Sequence, residues 1–194
     1  MTKFSSPRLL RAAVGLAAVG AFALAPVAAH ADNTDADGTL LPGGLALAAP
    51  SISTFSQALT GLTQVVPAQV GAWSVTDATG SNDGYSVTVA ASSPTVNGVV
   101  ADAGTDPSLQ LTPTTATRAP DNPAQTGPVA ADGPQTLTPT PTTIDNAAAG
   151  TGQGEWDFAA DPMGTANLAI VIPGDASAGA YSSTLTFTTS TPVS

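Results

Sequence analysis

The nearest this chain comes to a catalytic constellation is Glu155, Asp157 and Asp161, three carboxylates gathered around Trp156. Two carboxyl groups flanking a glycosidic bond are the working parts of most glycoside hydrolases, one as acid and the other as base or nucleophile. Other routes to catalysis lack their parts. The single histidine, His30, and the single lysine, Lys3, both fall within residues 1–31, and the chain has no cysteine. A serine or threonine nucleophile normally needs a neighbouring histidine or lysine as its base. Zinc, copper and iron sites draw on histidine or cysteine. A solvated acidic loop around Trp156 is the plainer account of the three carboxylates. The expectation is therefore a protein that is not an enzyme, with no catalytic residues, no metal site and no cofactor.

Residues 1–31 are set aside because of their pattern. Lys3, Arg8 and Arg11 form a basic start, the uncharged run from Ala12 to Ala25 follows, and Ala29-His30-Ala31 is a small-x-small cleavage site. This is the layout of a signal peptide, with Asp32 as the new N-terminus. The apolar run is shorter than the roughly 20 residues a membrane-spanning helix needs, so no transmembrane segment is expected in the mature chain. The expected location is secreted, extracellular or cell-wall-associated. After cleavage one cation, Arg118, stands against all fourteen acidic residues. Such a surface repels polyanions, which excludes nucleic acid as a partner. It also avoids anionic wall polymers unless specific contacts or divalent cations intervene. With no disulfides available, a hydrophobic core must hold the exported fold together.

The elements that would position these side chains are strands. Residues 32–50 are acidic, then rich in Gly and Ala, and are expected to be a flexible arm. Asn33 to Gly38 resembles the start of a calcium loop, but the twelfth position, where a bidentate Glu is needed, is Gly44. From Ser51 the pattern becomes strand-like. Ser51–Leu59 carries Ile52, Phe55 and Leu59; Ala72–Thr76 puts Trp73 and Val75 on one face; Tyr85–Ala91 alternates Tyr85, Val87 and Val89 with Ser86 and Thr88. The turn-forming residues from Asp77 to Gly84 between the last two runs predict a β-hairpin with an extended tip. Residues 112–150 are proline-rich and predict a long Pro/Thr-rich excursion of weak order within one domain. Trp156–Phe158, Ala166–Ile172 and Ala180–Thr189 supply the remaining strands, the last with Tyr181, Leu185 and Phe187 on one face and a row of hydroxyls on the other. The predicted fold is all-β: a single β-sandwich of about eight mostly antiparallel strands spanning residues 51–194.

The order of these segments resembles the WxL-domain surface proteins of Gram-positive bacteria. The matching pieces are Trp73-Ser74-Val75-Thr76-Asp77-Ala78-Thr79-Gly80, then Gly84-Tyr85-Ser86-Val87, Gly152-Gln153-Gly154-Glu155-Trp156, and Tyr181 to Thr189. At the two places where that family carries Trp-x-Leu, this chain reads Tyr85-Ser86-Val87 and Phe187-Thr188-Thr189. An aromatic ring is kept and the indole lost both times, as in a divergent branch, and the Ala-, Thr- and Gly-rich composition suggests an actinobacterial one. The resemblance implies a secreted β-rich domain that associates non-covalently with peptidoglycan. The ligand-binding candidates it brings forward are Trp156, Tyr85, Phe187 and Trp73. Trp73, Tyr85 and Phe187 also fit core packing, whereas Trp156, set among glycines and acids, fits either a sugar-stacking ring or a plug at the end of the sandwich. The expected function is a non-catalytic surface protein bound to the wall. The alternative is a structural or adhesin-like protein whose partner is another surface protein.

Overall fold

Val, Thr, Ile and aromatic residues in alternation favour a pleated, half-buried surface, and the chain uses them throughout. The computed structural model describes residues 39–100, 105–121, 125–160 and 167–192. Among these there are fifteen strands and no helix. The first seven are β1 (Leu45–Ala48), β2 (Gln64–Ala68), β3 (Trp73–Asp77), β4 (Tyr85–Ala91), β5 (Thr95–Val96), β6 (Val99–Val100) and β7 (Ser108–Leu111). The next four are β8 (Thr117–Arg118), β9 (Val129–Ala130), β10 (Gln135–Leu137) and β11 (Thr142–Ala147). The last are β12 (Gly154–Phe158), β13 (Leu168–Ile172), β14 (Tyr181–Ser182) and β15 (Leu185–Ser190). The all-β class expected from the alternation is the class found. The strand count exceeds the expected eight because five of the fifteen are two-residue pieces.

The strands form three four-stranded sheets, ordered β1-β3-β12-β8, β10-β7-β13-β2 and β15-β4-β11-β9, and a small sheet β14-β5-β6. All the pairings are antiparallel. The inner faces of the three large sheets meet in one apolar cluster. Trp73 and Val75 of β3, Tyr85, Val87 and Val89 of β4, and Leu168, Ile170 and Ile172 of β13 alternate into it. Residues between them face outward, as period-two geometry requires.

Four expectations need correction. β3 and β4 are not a hairpin: β3 pairs with β1 and β12, and β4 with β11 and β15, so the 78–84 loop carries the chain from one sheet to another. That loop is pinned at Gly84, whose φ is +77° and where a Cβ would lie 2.2 Å from the Ala147 carbonyl oxygen. The 32–50 arm is not flexible throughout. Leu45–Ala48 pairs along β3, and the Gly43 amide donates to the Ala78 oxygen at 2.8 Å; residues 1–38, including the expected signal peptide, lie outside the described residues.

The run from Ser51 to Leu59 is an exposed strap with one bridge, Ile52 to Val70, and the strand it was expected to form is β2 instead. β2 lies at a sheet edge, where Pro67 costs no ladder bond to a second neighbour. Finally, the 112–150 stretch is ordered where it is described. Its described prolines fall between strands, and β11 runs inside a sheet between β4 and β9.

Candidate functional site

The four aromatic candidates are interior or lean on the interior. Tyr85 is fully buried, and Trp73 and Trp156 nearly so. Trp73 stacks on Phe158, its cross-strand partner on β12, with centroids 3.7 Å apart and planes 5° from parallel. Phe187 of β15 is half-buried and meets Trp73 at 5.9 Å in a tilted contact, tying two sheets together. Trp156 is not in a loop. It points inward from the middle of β12, its Nε1 donates to the Gln153 carbonyl at 3.2 Å, and Gly127 lies so close that a Cβ there would come within 2.5 Å of the indole. The proline-rich segment thus lies across the Trp156 ring. The structure does not bring the four together as an exposed face.

Glu155 and Asp157 alternate with Trp156 and Phe158 on β12 and so face away from the core, while Asp161 lies outside the described residues. They stand on a strand rather than on the expected loop.

Two features the sequence reading missed stand out. The first is a neighbouring pair of concavities beneath the 51–62 strap. One, of about 360 Å³, is lined by Ile52 and Phe55 of the strap and by Leu109, Leu168, Ile170 and Leu185 from two sheets. The other, of about 510 Å³, shares Phe55 and Tyr181 with it and reaches Leu59 and Ile172. Tyr181 closes one wall, its hydroxyl within 2.8 Å of the Ser177 carbonyl and 3.0 Å of Asp106 Oδ1. Among the described residues, none that lines either concavity carries a charge.

The second is an acid in the core. β11 carries a register shift between Thr143 and Asp145, where Ile144 is the extra residue of a bulge. A bulge re-aims the side chains beside it, and here Ile144 and Asp145 are both buried, each 1% exposed. Asp145 sits opposite Val87 on β4, two residues from Tyr85. Neither carboxyl oxygen of Asp145 has a hydrogen-bond partner, and neither has the Tyr85 hydroxyl. Burial disfavours the charged form, pushing the Asp145 carboxyl up to about 7. The phenol of Tyr85 is held well above its usual value by burial first, then by the charges of Asp145 and Asp77. Asp77, also buried, is better served: its Oδ1 accepts from the Thr79 amide at 3.0 Å and the Thr79 hydroxyl at 2.6 Å. Among the described residues no three His, Cys, Asp or Glu side chains are grouped to hold a metal ion, and no helix is long and apolar enough to cross a membrane. Comparison with protein-family models, with curated proteins and with solved structures gives no significant match.

Proposed function

We propose that this is an exported, non-catalytic surface protein that works by contact with another protein. The observation that carries the reading is the distribution of its apolar side chains. The four rings brought forward for sugar stacking pack in or against the core, while Ile52, Phe55, Leu59 and Leu62 reach solvent along one strap above an uncharged, mainly apolar cleft. An exposed, contiguous apolar patch is the ordinary mark of a protein contact. The acidic surface supports the same choice, because anionic wall polymers are repelled by it.

The test is retention of purified mature protein on cell envelopes at a salt concentration that screens the charge repulsion. Retention on intact envelopes, lost after protease treatment of those envelopes and lost in Phe55→Asp, is the expected result. Retention on protease-stripped peptidoglycan would instead favour the wall association implied by the WxL resemblance.

A further inference from the structure

We propose that Asp145 and the two-residue strand β9 that covers it form a proton-operated latch at the edge of the β15-β4-β11-β9 sheet. The geometry has three parts. Asp145 is directed into the core by the β11 bulge, with both oxygens unpartnered. Its outer neighbour is β9, which pairs through Asp145↔Ala130 and Asn146↔Val129 and is extended by the Ala131 amide donating to the Ile144 oxygen at 2.8 Å. β9 buries little, since Val129 is 70% exposed. A neutral carboxyl can stay where it is. An ionised one needs water, and β9, the edge strand paired beside Asp145, is the element that would give way to admit it.

Among the described residues no neighbouring charge relieves the ionised state. From β4 the facing titratable group is Tyr85, and from β3 it is Asp77, which acts on the same hydroxyl. β9 contributes Val129 and Ala130, β10 contributes Gln135 to Leu137, and Asp132 between them is exposed. The one cation among the described residues, Arg118, lies on β8 at the edge of a different sheet. Composition isolates the effect further. With His30 in the expected leader and no cysteine in the chain, no other side chain has an ordinary titration between about pH 5.5 and 8.

The sign follows from the displaced carboxyl, about 7 in the fold against 3.8 ordinarily. The folded state keeps a proton that the unfolded chain has lost, so stability is greatest at the acid end. It falls as pH rises through the interval between these values and levels off above about 7. The folding equilibrium constant should drop across that interval by up to roughly a thousandfold, less whatever the release of β9 recovers.

The experiment is amide hydrogen exchange, corrected for intrinsic rates, with urea unfolding at pH 5.5 and pH 8 and constant ionic strength. Wild-type protein should lose protection at Ala131 and along β11 at the higher pH while β13 stays protected, and Asp145→Asn should show no such change. A ¹³C titration of the Asp145 carboxyl in wild-type protein gives a second reading that needs no variant, with a midpoint near neutrality expected. A carboxyl titrating in the ordinary range overturns the proposal. So does loss of protection that is uniform over all sheets, or equal in Asp145→Asn.

Discussion

A buried side chain here is worth what its polar atoms allow. Tyr85 fills the core with its ring and leaves its hydroxyl without a partner. Removing an unsatisfied polar group recovers its desolvation cost, whereas removing the ring opens a cavity. Tyr85→Phe should therefore raise stability by about 1 kcal/mol, and Tyr85→Ala should lower it by about 3–5 kcal/mol, both read from urea midpoints. A ring that served as a surface contact would show neither effect. Trp156 illustrates what alternation can and cannot reveal. The Gly152 to Asp157 composition suggested a loop, yet Trp156 and Phe158 obey period two and both point inward. Asp145 was hidden for a related reason. Nothing in Thr142 to Ala147 distinguishes an acid on the wet face from one turned inward by a bulge, because the bulge exists only in the pairing with β4.

At the scale of elements, local pattern fixes which face a residue takes and leaves open which strand it meets. β3, β4, β13 and β15 were legible from alternation alone. The supposed β3–β4 hairpin was not one, because turn-forming residues also suit a crossing between sheets. β2 escaped notice because Pro67 sits inside it, and β5–β6 because its cue is only Asn97-Gly98, a two-residue turn with φ of +49° and +82°. The crossing itself makes a test. Gly84→Ala would drive a Cβ into the Ala147 and Ala148 backbone at a left-handed φ. Its cost should be at least 1–3 kcal/mol, the usual range for overpacking, seen as a lower melting temperature. The β9 latch fits the same arithmetic. A displacement of about three pKa units corresponds to on the order of 4 kcal/mol. The few backbone bonds holding β9 contribute only about 1 kcal/mol each. The two are of the same order.

For the whole molecule, the fourteen acidic residues beyond residue 31 face a single arginine, and this surplus of negative charge repels itself more in the compact state than in an extended one. Added sodium chloride up to physiological ionic strength should raise the melting temperature slightly by screening this repulsion. A steep fall with salt would show instead that specific ion pairs dominate. The connectivity has a further consequence, for the timing of folding. β2 waits for β13, β3 for β12, and β4 for both β11 and β15, so the early strands meet most of their neighbours late in the chain. Non-local pairing of this kind is slow to nucleate. A chain threaded outward from its N-terminus would have no sheet to close until its last strands had emerged, and so would remain slack enough to be drawn through a narrow channel. Ending the chain after residue 184 removes β15 and bares the edge of β4. Such a chain should stay unfolded by circular dichroism, whereas supplying Leu185–Ser190 as a separate peptide should restore part of the sheet signal.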